Sequence, residues 1–311
     1  MFTFYKEGSC DEGRKPLAKW TCILYLAGDN FLDWFTLQSL EEMRTAGSSY
    51  DVRVVVLLDR TDNRGHLYEV RKNYLVSLPL EAVRPDWKDK ELNTGDPETL
   101  ATFASWAVEN LPAENYFISL AGYGEGWRGL LHDLDNGSGR GNVDILSIDE
   151  MGQALARIIK SIKNTNGKDF IDILGLDACY MGMAEVLYQV GNSARYAIVS
   201  ENEEALDGWP YDKVLGAFIR DPSRPAREIA TAIVDAYVDQ VQNEKAVKKD
   251  NLRTASLIDM EGFKRLTPQL KGLATELSGL LPEEIRKMIV VDRLTNTFNV
   301  SAHIQGRYVP Y

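Results

Sequence analysis

The sequence predicts an α/β fold in which a mostly parallel central sheet is covered by helices on both faces and followed by a helical C-terminal part. Short runs that are apolar along their whole length are typical of strands buried on both faces of a sheet. Helical patterns lie between most of these runs, which indicates parallel strands with crossover helices. The predicted strands are Trp20–Ala27 (WTCILYLA), Val52–Leu58 (VRVVVLL), Tyr116–Ala121 (YFISLA), Phe170–Leu176 (FIDILGL) and Tyr196–Ser200 (YAIVS). The predicted helices between them are Phe31–Ala46, Pro97–Asn110, Ile148–Lys163 and Met181–Val190.

The remaining segments complete the predicted elements. His66–Arg71 (HLYEVR) alternates and is predicted to form an edge hairpin with the strand before it. The stretch Asp133–Asp144 (DLDNGSGRGNVD) is rich in Gly, Asn and Asp, which is typical of an exposed loop. After Trp209 the pattern is mainly helical, with one further strand at Thr254–Ile258 (TASLI). The helices predicted there are Tyr211–Phe218, Ala226–Gln242 and Gly262–Gly279.

The composition excludes some classes of function. The chain has 311 residues, of which 44% are hydrophobic and 26% charged, as in an ordinary globular protein. Its formal net charge of -11 argues against nucleic-acid binding, because proteins that bind nucleic acid are usually basic. An acidic surface mildly attracts cationic peptides instead.

The cysteines and the apolar segments exclude further classes. Cys10, Cys22 and Cys179 are an odd number, without a CxxC pair or zinc-type histidine spacing, so neither a disulfide framework nor a structural metal is expected. We interpret Cys10 and Cys22 as structural or incidental. No stretch approaches the ~18 apolar residues of a membrane span, and the first residues lack the apolar run of a signal peptide. A cytoplasmic location is expected, unless a signal peptide has been removed.

The chemistry is expected at the ends of two predicted strands. Cys179 follows the buried strand in IDILGLDACYMGMAEV and precedes a predicted helix. A helix dipole and its free N–H groups favour thiolate there, and the same N–H groups can stabilise an oxyanion. In YFISLAGYGEGW, three glycines form a tight turn from which Tyr123 projects. Sites in parallel sheets form outside the carboxyl ends of adjacent strands, so Cys179 and Tyr123 are expected at one edge of the sheet.

The chain resembles the clostripain family of cysteine peptidases, whose fold is caspase-like. The resemblance runs from about Trp20 to beyond Gln240 and is carried by three segments: WTCILYLAGDNFLD, LDACYMG and LDGWPYDKVL. It implies that Cys179 is the nucleophile and that Gly124 belongs to the oxyanion region. With it, we expect an N-terminal extension at residues 1–18, a peptidase core at 19–245 and a packed strand and helices at 246–311.

The resemblance also implies endopeptidase activity after Arg or Lys, with polypeptides that expose these residues as partners. Asp177 and Asp207 match the positions that make the pocket of such proteins acidic. A buried carboxylate pair gives a guanidinium or ammonium a charge-assisted partner, and a neutral side chain would leave the pair unpaired. Family members commonly cleave themselves in a loop before the nucleophile, and Arg140 is the candidate position for this cleavage.

One position departs from the family pattern. Family members carry His-Gly-x-Gly-Trp where this chain has YGEGW, so that Tyr123 stands in place of the histidine. Tyrosine has a reference pKa of ~10 against ~6.5 for histidine, so near neutral pH it accepts the thiol proton poorly. A positioned acid or base typically contributes ~10²–10⁴-fold, so the chain is expected to be inactive or strongly impaired. His132 is the alternative base, whereas the sequence does not place His66 or His303 near the turn.

Other interpretations stay open. A natural pseudopeptidase, which grips Arg/Lys segments without cutting them, needs the pocket but not the base. Free cysteines are often small buried hydrophobes, and Asp177 and Asp207 can be ordinary capping or salt-bridging residues. The cluster of Asp133, Asp135 and Asn136 supplies oxygen donors that suit calcium, the one cofactor considered. The acidic residues of SENEEALDG (Glu201, Glu203 and Glu204) either add negative potential to the pocket rim or form a solvated loop.

Overall fold

The structure of the protein is a computed structural model, which describes residues 17–62, 64–88, 90–135, 143–243, 253–280 and 282–283. The predictions for Cys10, Asn136, Arg140 and His303 lie outside these residues. The strands are β1 (Ala18–Gly28), β2 (Val52–Arg60), β3 (Arg64–Arg71), β4 (Tyr74–Leu78), β5 (Ala113–Ala121), β6 (Leu130–Asp133), β7 (Asp144–Leu146), β8 (Ile171–Asp177), β9 (Ala194–Val199) and β10 (Ser256–Asp259). The helices are α1 (Asp33–Ala46), α2 (Pro97–Asn110), α3 (Ile148–Asn166), α4 (Ala184–Val190), α5 (Tyr211–Arg220), α6 (Ala226–Asn243) and α7 (Met260–Ser278).

The central sheet has eight strands in the order β10-β9-β8-β5-β1-β2-β3-β4. The five strands from β9 to β2 are parallel to one another. The strands outside them, β10, β3 and β4, each pair antiparallel with their neighbours. A second small sheet is formed by β6 and β7. The predicted α/β architecture with a mostly parallel sheet is therefore confirmed.

Two hydrophobic cores lie on opposite faces of the sheet, because successive side chains of a strand point to opposite faces. In β1, Ile23 and Tyr25 pack in one core and Leu24 and Leu26 in the other. Helices α2, α3 and α4 cover the first core, and α1, α5 and α6 cover the second. Since both faces are buried, β1 has no polar face, which explains its continuous apolar sequence.

The ends of α3 follow from local sequence signals. Ser147 caps the helix by accepting from the backbone N–H of Glu150, whose side chain accepts in return from the backbone N–H of Ser147. This reciprocal capping box satisfies two N–H groups that the first helical turn leaves without partners. At the other end, Gly167 takes the left-handed conformation (φ 85°) that closes many helices.

The sheet differs from the sequence-based prediction at its edge and in its small strands. His66–Arg71 does pair antiparallel with the preceding strand, but it is not the edge, because β4 adds outside it. The prediction of an exposed loop from Asp133 to Asp144 is wrong at both ends, which lie in β6 and β7. Asp133 and Asp135 are buried. Short strands such as these lack the length at which a periodicity stands out.

The chain divides into two compact units, Met1–Phe263 and Lys264–Tyr311. The first unit contains the whole sheet, including β10. In the second unit, the described residues are mainly the remainder of α7, up to Ser278. None of the helices described is both long and apolar enough to cross a membrane.

Gly175, in the middle of β8, makes room for the indole of Trp209. A Cβ atom at position 175 would lie 2.9 Å from Trp209 Cζ3 and 3.2 Å from Phe117 Cε2. Gly216, in α5, has no atom within 4 Å of the corresponding position. The two glycines therefore differ in the space that a methyl group would find.

We expect Gly175→Ala to lower the free energy of unfolding by about 1–3 kcal/mol, because overpacking forces buried rings to move. Gly216→Ala is the matched control, and it should raise the stability by about 0.5–1 kcal/mol, since alanine favours the helix. Urea unfolding followed by circular dichroism measures both. Equal stability of the two variants would contradict the packing described for Trp209.

Candidate active site

Two loops at the carboxyl ends of the adjacent strands β5 and β8 are held together by their backbones. The N–H of Gly122 donates to the carbonyl of Asp177 at 3.1 Å, which continues the pairing of the two strands. A Cβ atom at Gly124 would lie 2.4 Å from the carbonyl oxygen and 2.9 Å from the nitrogen of Cys179. Only glycine allows this approach, so the turn YGEGW lies directly against the backbone of Cys179.

The environment of the Cys179 thiol does not favour thiolate, contrary to the prediction. α4 begins at Ala184, so a turn separates it from Cys179, and it has only seven residues. Burial raises the pKa of the thiol; the backbone N–H of Glu204, which donates to Sγ at 3.2 Å, lowers it, and the charges of Glu203 and Asp177 raise it further. The predicted stabilisation of the thiolate by a helix dipole is absent, because the chain does not enter a helix directly after Cys179. It first turns through Gly182, which packs against the backbone of Ser200.

The residue after the cysteine adopts an unusual conformation. Tyr180 has φ 63°, in the left-handed region that side chains other than those of Gly, Asn and Asp rarely enter. Its backbone N–H donates to Asn202 at 3.0 Å, and its hydroxyl donates to Glu203 at 3.1 Å. Backbone strain of this kind persists only where the surroundings hold it, and it occurs often at active sites.

Tyr123 lies in a fixed position between two aromatic neighbours. Its ring packs edge-on against Phe31, with centroids 5.5 Å apart, and against His132, with centroids 4.6 Å apart. The carbonyl of Tyr123 accepts from the N–H of Leu131 at 2.7 Å, which holds the turn in place. Tyr123 and Cys179 line the same pocket.

His132 is next to Tyr123 but does not line that pocket. Its Nε2 lies 3.7 Å from Oε1 of Glu125 and forms no hydrogen bond within the described part of the chain. Burial lowers the pKa of the imidazole, while Glu125 acts in the opposite direction. His66 lies in β3, where it pairs with Asp62 on the other half of the sheet.

Asp177 is buried and lines the pocket, and its carboxylate accepts hydrogen bonds from Tyr211 and Trp209. The hydroxyl of Tyr211 donates to its Oδ2 at 2.9 Å, and the backbone N–H of Trp209 donates to the same atom at 3.3 Å. Gly208 passes close above the carboxylate, because a Cβ atom there would lie 3.1 Å from Oδ2. Burial raises the pKa of Asp177, and the hydrogen bonds to Glu204, Tyr211 and Trp209 oppose this effect.

Asp207 is exposed, so the expected buried pair of Asp177 and Asp207 does not form. Its Oδ2 lies 3.5 Å from Nε2 of Gln240. The buried partner of Asp177 is instead Glu204, which is 8% exposed. The sequence does not indicate that Glu204 is buried, because nothing in it distinguishes this residue from the other two glutamates of the same loop.

The pocket combines acidic residues with apolar walls. The buried residues Asp177 and Glu204 and the exposed residue Asp207 all line it. The remaining lining residues are mostly apolar and come from the end of β1, α1 and the loops after β5, β8 and β9; they are Leu26, Phe31, Leu32, Phe35, Thr36, Ser39, Ala121, Gly122, Ala178, Ala205, Leu206 and Gly208. Carboxyl groups and apolar side chains therefore border the same cavity.

A second group of carboxyl residues lies at the ends of β1, β2 and β6. Burial raises the pKa of Asp59 and of Asp133, and that of Glu91 rises to about 8. Oδ2 of Asp133 accepts from the backbone N–H of Thr94 at 2.7 Å. Among the described residues, no three His, Cys, Asp or Glu side chains are arranged to hold a metal ion. The calcium hypothesis therefore stays a prediction, and its residue Asn136 lies outside the described chain.

Comparison with known proteins identifies the family. The clostripain family model matches residues 24–307. The chain belongs to the clostripain family. By family and fold it is therefore a cysteine protease, and polypeptides are its class of substrate. No curated protein sequence matches the chain.

Solved structures of clostripain-family proteases share the fold. A secreted cysteine protease from Bacteroides thetaiotaomicron, bound to an irreversible peptide inhibitor, is 23% identical with a TM-score of 0.64, over 80% of this chain and 68% of that one. An inactive zymogen from Parabacteroides distasonis is 20% identical with a TM-score of 0.61, over 82% and 65% of the two chains. A further structure of a secreted protease from B. thetaiotaomicron is 16% identical with a TM-score of 0.64, over 84% and 72%. The caspase-like fold predicted from the motifs is thus confirmed.

We expect the alkylation of Cys179 by iodoacetamide to have its pH midpoint above that of an ordinary cysteine, because burial raises the pKa of the thiol. The rate is measured by mass spectrometry of a Cys10→Ser chain across alkaline pH. Cys22, which is fully buried, should not react in the folded chain. In the urea-unfolded chain both midpoints should fall to about 8.5. A folded-state midpoint below that value would contradict the environment described here.

Proposed function

We propose that this clostripain-family site is built for cleavage after Arg or Lys, with Cys179 as the nucleophile and Tyr123 as the residue that leaves it strongly impaired. The single observation that supports the proposal is that Cys179 and the buried carboxylate of Asp177 line one pocket whose walls are apolar. A substrate residue whose cationic side chain binds Asp177 would place its main-chain carbonyl near the thiol of Cys179.

The chemistry requires a proton acceptor that Tyr123 does not supply. In acyl transfer the sulfur of Cys179 attacks the carbonyl carbon, the thiol proton must leave, and the departing amine must gain a proton. Tyrosine, with a reference pKa of ~10, stays protonated at neutral pH and cannot take that proton. The N–H groups of Cys179 and Gly124 are the donors we assign to the oxyanion, because Gly124 lies against the backbone of Cys179. The N–H of Gly122 is already used, since it donates to the carbonyl of Asp177.

The specificity is proposed from the burial of Asp177 in the pocket. An ionised carboxylate in an apolar surrounding is unfavourable unless a cation joins it. The side chain of Arg or Lys supplies that cation and covers the apolar walls with its methylene groups. A neutral side chain would leave Asp177 without a positive charge beside it. This would discriminate against a neutral substrate more strongly than the loss of one apolar contact would.

A pseudopeptidase is the second candidate, and the packing of Tyr123 favours it. The ring lies between Phe31 and His132, both of which it contacts edge-on. Aromatic pairs of this kind contribute about 0.5–1.5 kcal/mol beyond the area that they bury. Tyr123 therefore packs well against its neighbours, and the pocket beside it is still present. A module that binds Arg/Lys segments without cutting them would need this pocket.

We expect Tyr123→His to raise kcat/KM for a fluorogenic arginyl peptide by about 10²–10⁴-fold, because a positioned imidazole can accept and return the proton. The unsubstituted chain and the double variant Tyr123→His/Cys179→Ala are assayed beside it, and the double variant should be inactive. Activity of the given chain that His132→Ala abolishes would show instead that His132 acts as the base. If no variant cleaves but the given chain binds an arginyl peptide, the pseudopeptidase is the function.

We expect Asp177→Asn to weaken the binding of an arginyl peptide by about tenfold or more, because it removes a buried charge-assisted partner. Asp207→Asn should change the affinity less than threefold or so, because an exposed ion pair contributes little. Fluorescence anisotropy of a labelled arginyl peptide measures both constants. Unchanged affinity in both variants would refute the specificity proposed for this pocket.

A further inference from the structure

The pocket beside Cys179 contains a second buried carboxyl group whose role neither the fold nor the family motifs indicate. Glu204 is 8% exposed and lines the pocket together with Asp177. Its Oε1 accepts from the indole Nε1 of Trp209 at 3.3 Å. No donor within the described residues reaches its Oε2. A buried carboxyl oxygen without a donor is costly unless a proton or a ligand reaches it.

We propose that Glu204 determines specificity: with Asp177 it holds one proton between two carboxyl groups, and an arginine side chain displaces this proton and binds both. The inference rests on the proposed function, because it concerns the same pocket. It adds a second recognition residue, a preference for guanidinium over ammonium, and release of a proton on binding.

The geometry decides which of the two groups carries the proton. Asp177 accepts from the hydroxyl of Tyr211 and from the backbone of Trp209, and both donors favour its ionised form. Glu204 has one donor, the Trp209 indole, so it is the member of the pair that stays protonated and donates to Asp177. Two carboxylates in contact and out of water cannot both stay ionised, so one proton is retained by the pair.

The groups that face this pair strengthen the effect. Burial raises the pKa of Glu204 well above its ordinary range, and Asp177 and Cys179 raise it further. Asp207 acts on Asp177 in the same direction. The hydroxyls of Tyr211 and Tyr237 also face the pair, and burial raises the pKa of each, so both remain neutral.

Two more charged groups lie behind these tyrosines. Glu42 accepts from the backbone N–H of Tyr211 at 2.9 Å, and burial raises its pKa to about 7. Arg253 acts on Tyr237, whose pKa it lowers.

The shape of the pair suits a guanidinium better than an ammonium. Arginine presents five N–H donors in a planar fork and can bind two carboxylates at once, whereas lysine presents a compact charge to one of them. Glu204 should therefore contribute more to the binding of arginine than to that of lysine. Deprotonated Glu204 and Asp177 carry two negative charges, and the guanidinium compensates one of them while it hydrogen-bonds both groups.

Glutamine at position 204 mimics the protonated glutamate, because it has the same shape and can donate to Asp177 but cannot lose a proton. Titration calorimetry with N-acetyl-arginine amide, in two buffers of different ionisation enthalpy, gives the number of protons released. We expect the chain as given to release close to one proton at about pH 6. Since binding competes with protonation, the affinity for the arginine amide should increase as the pH is raised towards neutral, by up to about tenfold per pH unit.

We expect Glu204→Gln to release no proton and to bind the arginine amide about tenfold to hundredfold more weakly near neutral pH. Its preference for the arginine amide over N-acetyl-lysine amide should shrink. Glu204→Asp keeps an acid in the pocket, so some proton release should return. Glu201→Gln is the matched control, because Glu201 is exposed in the same loop, and it should behave as the unchanged chain does.

The outcomes separate this inference from the proposed function. Binding of the arginine amide without proton release, or proton release that Glu204→Gln retains, would overturn the role of Glu204 while the acidic pocket stands. Failure of the unchanged chain to bind either amide would overturn the proposed specificity itself, and the inference with it. Should Glu204→Gln not fold, as judged by circular dichroism, proton release by the unchanged chain and by Glu204→Asp still decides the question.

Discussion

The contact between the loops that follow β5 and β8 is the constraint on which the candidate site depends. Gly122 extends the pairing of the two strands to Asp177, and Gly124 lies so close to Cys179 that any side chain at 124 would overlap its backbone. These are backbone contacts, so they do not depend on which side chain occupies position 123. The frame of the site is therefore intact around Tyr123, even though tyrosine cannot perform the acid–base chemistry of histidine.

The electrostatics of the pocket indicate binding rather than stability as the reason for its carboxyl groups. Burying Asp177 and Glu204 side by side costs free energy, because desolvation disfavours the ionised form of each and the charge of Asp177 further disfavours that of Glu204. A pocket of similar size lined with apolar residues would avoid that cost. Titratable groups with strongly shifted pKa values in a cleft are typical of functional sites, where a ligand compensates the unfavourable arrangement.

The burial that a cationic ligand would offset in our proposal works against Cys179 as a nucleophile. Low solvent access and nearby carboxylates raise the pKa of the Cys179 thiol, whereas the backbone N–H groups of Glu204 and of Cys179 itself lower it. A base beside Cys179 is therefore more important here than at a thiol that lies at a helix N-terminus. Position 123 is where we propose that this base belongs, so a single substitution there has a large expected effect.

Much of the fold could be predicted from the sequence because its signals are local. Nearly continuous apolar runs such as Val52–Leu58 are typical of strands buried on both faces, and the predicted helix Pro97–Asn110 has the bounds that the structure shows. The segments around Cys179 and Tyr123 were recognisable as well, since glycines and neighbouring residues at fixed spacing reflect local turn geometry. The family was thus readable from the chain alone, whereas Tyr123 in place of a catalytic histidine stays a prediction.

Only the tertiary structure decided which acidic residue is buried in the pocket and in which direction the pKa of the Cys179 thiol is shifted. Glu204 turns inward and Asp207 outward, although both lie in one acidic loop, because the direction of a side chain there depends on packing against Trp209 and β8. The pKa of Cys179 likewise depends on burial by distant segments and not on its neighbours in sequence. Motifs reflect local backbone geometry, whereas burial and charge–charge distances arise from segments that meet only when the chain folds.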